Sequence, residues 1–331
     1  MRNRSDLGAA LSLALVVLIS AAGCSEEPTG PTAAAEAPLL QLDPVGAPLV
    51  VMGFSAPESA LHDPVADVYL VSNVNGHPQV LSDDGFISRV SPAGDIIELE
   101  WIKGGQNGVV LHAPTGIVLV GDVLYVSDAD AVRLFDRESG APLASWPVPV
   151  DTEEVPGLPG LDWVRGVVLN DVCAGPRGEI YLTATGIDID LAFDLAVTGE
   201  DAVYAFADGV PVPIAEGPAL AGPNGCIVRG GNVHVVPLLD TEAYRLNPSG
   251  ARFHVASLPQ DGLDGLVEAG GFVYASSIFG GEIYRMSAGG SQVATILTDL
   301  VSPADLGFDY QRRRLLIPSL FGNFLMIQPM E

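Results

Sequence analysis

Four residues of this chain combine the types and the spacing that chemistry needs. Glu58, Asn170, Asn224 and Asp264 stand in the short segments PES, LND, PNG and LDG, each just ahead of an apolar strand. Thr115 in PTG and Ala304 in PAD occupy the same phase, and proline precedes four of the six positions, as Pro57, Pro114, Pro223 and Pro303. Two carboxylates and two carboxamides offer oxygen donors only. Hard divalent cations take such donors; calcium accepts about six to eight oxygens, Asn carbonyls and waters among them. Two negative charges would balance the ion and leave water positions open for reaction. Asn and Asp also make good turns ahead of strands. The metal reading therefore rests on four donors at one repeat phase, not on any one of them.

What must bring these residues together is a repeat, and the sequence contains six copies of one pattern. A turn with Pro or Gly leads into a short apolar strand, then a second strand with β-branched and aromatic residues at alternate positions, then a third strand. The second strands read DVYLVSNV (67–74), DVLYVSDA (122–129), EIYLTATG (179–186), NVHVVPLL (232–239), FVYASSIF (272–279) and RLLIPSLF (314–321). Repeats of roughly 40–55 residues with three or four strands are the signature of propeller blades. The expected fold is therefore all-β: a six-bladed β-propeller over residues 38–331, with very low helix content. Its blades should start near 54, 110, 165, 219, 260 and 300. The last repeat ends after its third strand, so Leu39–Met52 should supply the fourth and close the ring. In such a ring, equivalent positions of successive blades converge at one mouth of the central channel.

Composition agrees and excludes some functions. The 38 Gly and 26 Pro suit many short strands and turns rather than long helices. Lys and Arg total 15 against 41 Asp and Glu, a formal net charge of −26, so nucleic acid is not a partner. Three cysteines do not build a disulfide scaffold.

The first segment reads as an address. Arg2 and Arg4 precede the apolar run Leu11–Ile19, too short to span a bilayer comfortably. Ser20-Ala21-Ala22-Gly23-Cys24 follows and resembles the lipobox of bacterial lipoproteins. The resemblance implies a signal peptide over 1–23 and lipidation of Cys24. Residues 24–37 are expected to be a disordered tether. The localisation expected is the cell envelope, facing the periplasm or the cell surface, with the membrane reached only through the lipid anchor.

The chain also resembles the senescence marker protein/gluconolactonase/luciferin-regenerating family of six-bladed propellers. The resemblance rests on APESALHDPVADVYLVSNV, LNDVCAGPRGEIYLTATG, GPNGCIV and LDGLVEAGGFVYASS, in that order. It implies one divalent metal, calcium by the donor set, held by Glu58, Asn224 and Asp264. It implies Asn170 beside the bound ligand and Asp264 as general base. Sugar-lactone hydrolases of the family carry an Arg two residues before the Asn-Asp pair; here that position is Val168. The resemblance therefore does not carry a polyhydroxylated substrate over to this chain. Some blades, notably PTGIVLVGDVLYVSDADAV, are similar to generic propeller repeats that only bind.

Other features are weaker. No histidine has metal-protease or Cys-x-x-Cys partners, and no phosphate-binding or dinucleotide motif occurs. His112 is expected to be a turn histidine. Cys173 and Cys226 are expected as buried free thiols, because their offsets from Asn170 and Asn224 differ by one residue, with a disulfide between them the alternative in an oxidising compartment. Asp151–Trp163 is either a lid or a long connection, and Asp188, Asp190 and Asp194 form a solvated acidic loop. Two functions follow: a metal-dependent lactone or ester hydrolase with its small-molecule substrate at the channel mouth, or a non-catalytic propeller that binds a ligand or partner protein at the cell envelope.

Overall fold

The computed structural model describes residues 43–331; the signal segment, Cys24 and the tether lie outside the described residues. Six four-stranded antiparallel sheets follow one another along the chain. Their first strands are Pro57–Asp63, Ile117–Val120, Val168–Ala174, Pro223–Arg229, Leu263–Ala269 and Gly307–Asp309. Each first strand touches the next, and the last touches the first, so the six line a closed ring. We number the blades one to six in that order. The second strands are Val68–Asn73, Val123–Ser127, Ile180–Thr185, Asn232–Pro237, Phe272–Ser277 and Arg314–Ser319, each inside the span that the repeat predicts. Among the described residues the only helix is a 3-10 turn at Pro218–Leu220.

Alternation along the second strands explains the radial packing. In blade one, Leu70 packs with Leu124 and Phe135 of blade two. Its neighbours Tyr69 and Val71 point the other way, onto Leu316 and Leu325 of blade six. Period-two alternation sends successive side chains to opposite sheet faces. A sheet apolar on both faces must be covered on both, and a ring of sheets does this without an end. Six such clusters fill the six gaps between blades. The ring is closed as expected: Leu49–Met52 pairs antiparallel with Phe324–Pro329, and Val51 lies opposite Leu325.

Two hairpins leave this frame. One, Asp151–Glu154 with Asp162–Arg165, links blades two and three and packs Val155 and Trp163 on Val80 of blade one. The segment predicted as lid or connection is thus a braced connection. The other, Ile187–Ile189 with Leu195–Val197, is inserted in blade three. It replaces the acidic loop expected there.

The cysteine expectation is corrected. Cys173 and Cys226 form a disulfide, with Cα atoms 5.9 Å apart. Face alternation relates residues within one sheet, and these two lie on first strands of neighbouring sheets that run side by side around the ring. A one-residue offset does not separate them there.

Candidate functional site

All four donor residues meet where the sequence places them. Glu58, Asn170, Asn224 and Asp264, with Thr115, form the floor of one cavity of about 200 Å³ at a mouth of the channel. A repeated backbone irregularity puts them there. In blades one, three, four and five the ladder slips at Pro57/Ala60, Leu169/Val172, Pro223/Cys226 and Leu263/Leu266. Each slip is a bulge in which two residues oppose one, and bulges re-aim side chains. The bulged pairs are Glu58-Ser59, Asn170-Asp171, Asn224-Gly225 and Asp264-Gly265. The first member faces the mouth. Ser59 and Asp171, the second members that carry side chains, face the opposite end of the channel.

Glycine at the other second positions lets the strands close up. A Cβ on Gly225 would lie 2.1 Å from the Asp264 carbonyl oxygen, and one on Gly265 2.4 Å from the Leu306 nitrogen. Neighbouring blades then fix the backbone of the site. Thr183 Oγ1 donates to the Asn224 carbonyl at 2.6 Å, Thr115 Oγ1 to the Asn170 carbonyl at 2.6 Å, and the Asp305 N–H to the Glu58 carbonyl at 2.9 Å.

The side-chain oxygens are left over. Asn224 uses its Nδ2 on the Leu263 carbonyl at 3.2 Å, which turns Oδ1 toward the cavity. Among the described residues only five buried side-chain polar atoms lack a hydrogen-bond partner, and three are Glu58 Oε2, Asn224 Oδ1 and Asp264 Oδ1. An unpaired buried polar atom costs about 1–3 kcal/mol. Three such atoms, from three blades, meet in one cavity, and all three are oxygens that could serve a cation as ligands. Burial, and then the neighbouring Asp264, Asp305 and Asp171 charges, push Glu58 well above the usual carboxylate range. Burial and the Asp305 charge do the same to Asp264.

Sequence reasoning missed two acids beneath the floor. Asp171 and Asp305 are buried one residue beyond Asn170 and Ala304. Asp171 Oδ2 accepts from the Cys226 N–H at 2.6 Å, and Asp305 Oδ2 from Ser59 Oγ at 2.6 Å. Burial raises both, Asp305 to about 6. The signal was legible: LND and PAD put an acid at the second position of the same phase. No basic side chain lines the mouth cavity.

The walls are apolar. Val168, in the position expected for it, is buried with Ile187, Leu238 and Ile278. The inserted hairpin adds Ile189, Phe193 and Leu195. Ile187 to Val197 alternates apolar and small or acidic residues, a period-two signal that a reading of the acids alone overlooked. Asp188 turns outward to Arg165 Nη2 at 3.0 Å and the Gly166 N–H at 2.6 Å.

A second cluster is already compensated. His112, Asp128 and Asp130 bring potential ligand atoms within 4.8 Å of one another. The Arg133 guanidinium occupies it, with Nε on Asp128 at 2.9 Å and Nη2 on Asp130. His112 Nδ1 accepts from the Asp83 N–H at 3.0 Å, a turn role.

By fold the chain is similar to gluconolactonase-like six-bladed propellers. A solved structure assigned as a gluconolactonase superposes with a TM-score of 0.61 at 19% identity, covering 88% of this chain and 96% of that one. A streptogramin B lyase superposes with a TM-score of 0.51 at 11% identity, covering 88% of this chain and 97% of that one. Both likenesses are of fold. No family model matches the chain, and no curated protein matches it in sequence.

Proposed function

We propose that the mouth is the active site of a divalent-metal-dependent hydrolase of a lactone or other ester. The observation that carries this is the trio of unpartnered buried oxygens on Glu58, Asn224 and Asp264. These residues would hold the ion, and their all-oxygen chemistry suits calcium. When bound, the cation supplies Lewis acidity toward an ester carbonyl. Asp264, as carboxylate, accepts a proton from the water whose oxygen adds to the carbonyl carbon. The carbon–oxygen ester bond then breaks and the proton passes to the departing oxygen. Asn170, half-buried on the same floor, orients the ligand through its amide.

Purified protein should carry one divalent ion per chain. Calcium at a hundredfold excess over its Kd stabilises by about 2.7 kcal/mol, roughly 4–5 °C in Tm for a domain of this size. No thermal shift with calcium, magnesium, manganese or zinc would sink the metal centre. The non-catalytic binding propeller would then be the better reading.

We also propose export as a lipoprotein anchored through Cys24. The short apolar run ahead of Cys24 supports it, and so does the Cys173–Cys226 disulfide, which suits an oxidising compartment. Cys24→Ala should release the protein from membranes; unchanged membrane partitioning counts against the anchor.

A further inference from the structure

The cavity divides sharply by height. Its polar side chains, Glu58, Thr115, Asn170, Asn224 and Asp264, all belong to the floor. Above them the wall holds only hydrocarbon side chains and Gly76. Val168, Ile187, Leu238 and Ile278 form its buried part. The rim continues it with Phe193, Phe279 and Phe321, which are 56%, 63% and 64% exposed and come from three different blades. Large exposed apolar residues gathered around one opening mark a contact site rather than random surface.

The wall is preformed. Gln79 of blade one clasps the inserted hairpin: its Nε2 donates to the Ile187 carbonyl at 3.3 Å, and its Oε1 accepts from the Ile189 N–H at 2.7 Å. The His77 ring lies 5.2 Å from that of Phe193 and bonds the Asp190 carbonyl at 3.1 Å. The hairpin is thus held over the floor, with its apolar edge inward and Asp188 braced outward on Arg165.

Three ligand classes fail on this chemistry. Anions meet Glu58 and Asp264 on the floor, with Asp171 and Asp305 buried beneath, and no basic lining residue. Polyols find no side-chain donor or acceptor above the floor. A polypeptide segment or a second copy does not enter a closed-floor cavity of about 200 Å³.

We propose that the site takes an uncharged carbonyl compound with a hydrocarbon arm: an alkyl-substituted lactone or ester. Its carbonyl end lies at Glu58, Asn224 and Asp264, and its arm lies between Val168, Ile187, Ile189, Phe193 and Phe279. The ester identity rests on the hydrolase reading above; the recognition of the hydrocarbon arm does not.

The test uses the calcium-loaded protein and two series. The first is 2-alkylcyclopentanones with methyl to hexyl chains, carbocyclic lactone analogues that cannot be hydrolysed, with Kd from calorimetry. The second is the matching alkyl-substituted five-membered lactones, with kcat/KM from acid release. Affinity should rise roughly fourfold per buried methylene until the arm outgrows the wall. Phe193→Ser and Phe279→Ser, both surface changes that leave the strands intact, should flatten that slope. Gluconolactone should not compete. Binding that rises with chain length without any lactone turnover would end the hydrolase reading and leave this one standing. Turnover or binding independent of chain length, or preference for the hydroxylated compound, would overturn this one. So would variants that keep the slope but lose self-association in sedimentation, since the rim would then be a protein interface.

Discussion

The two ends of the innermost strands treat the same functional group in opposite ways. Glu58 is the second residue of the first strand of blade one and Asp63 its last; both are buried. Asp63 is held by the Arg137 guanidinium, with Nε at 3.0 Å, and by the Val65 and Ala66 N–H groups. Burial pushes its pKa up, but the Arg137 bonds and charge together with the Ala66 and Val65 N–H groups hold it below the usual range. Asp309 repeats this in blade six, where Tyr69 donates at 2.7 Å and Arg312 at 3.1 Å. No arginine reaches Glu58 or Asp264 at the mouth, nor Asp171 and Asp305 buried on the axis beneath them, and all four are raised. The fold neutralises buried acids within its own chain at one end and leaves those along the axis bare, which is the feature that the proposed cation would compensate. Buried charge without a partner is among the costliest features a chain can carry.

The largest effect should come from the bare end. Asp264→Ala removes a donor and the proton acceptor together. Hydrolysis should fall by about 10²–10⁴-fold, the worth of general base catalysis, and the calcium-induced rise in Tm should disappear. Asp264→Asn sharpens the comparison, because it keeps an oxygen donor and loses the base. Part of the calcium shift should return without the activity. Equal retention of activity in both variants would remove Asp264 from the chemistry.

The paired end should respond in stability rather than function. Arg137→Ala leaves Asp63 buried with only backbone donors, at a cost of about 3 kcal/mol in urea denaturation. The calcium shift should be unchanged, because the pair lies at the far end of the strand. A stability loss at the noise level would mean the far-end pairing is no stronger than a surface ion pair.

The sequence repeat carried the fold because each blade solves the same burial problem. The alternation of Tyr69, Leu70 and Val71 already requires a sheet covered on both faces. The donor ring was legible for the same reason, since Glu58, Asn170, Asn224 and Asp264 keep one phase in the repeat. What alternation does not encode is the bulge. An extra residue in the first strand sends two consecutive side chains to the axis, so Asp171 and Asp305 joined the ring unnoticed behind Asn170 and Ala304. The same limit hid the disulfide, because Cys173 and Cys226 meet across two sheets. The hairpin from Ile187 to Val197 was missed differently: its period-two pattern was present, but its aspartates drew the attention.

Asp171 allows the finest comparison, because Asp→Asn should have opposite signs on the bare axis and at the arginine-paired Asp63. Burial, then the Asp305 charge, raises Asp171 despite the bond from the Cys226 N–H. A carboxyl raised on folding binds its proton more tightly in the native state. Its stabilising contribution is full below the ordinary carboxylate pKa of about 4 and is lost as pH rises toward the folded value. Asp63, depressed on folding, contributes above the ordinary pKa and loses that contribution as pH falls through its lower folded value. In chelator, wild-type stability should therefore decline on the alkaline side because of the axis and on the acid side because of the paired acids. Asp171→Asn keeps an oxygen for the Cys226 N–H and carries no charge. It should gain stability at pH 8 and nothing near pH 4. Saturating calcium should shrink the gain, since the ion compensates the same charge. Asp63→Asn should instead lose stability at pH 8. Urea midpoints at both pH values, with and without chelator, decide it: a loss at pH 8 for Asp171→Asn as large as that for Asp63→Asn would show that Asp171 is held for its hydrogen bond and that the axis carries no strain from like charges.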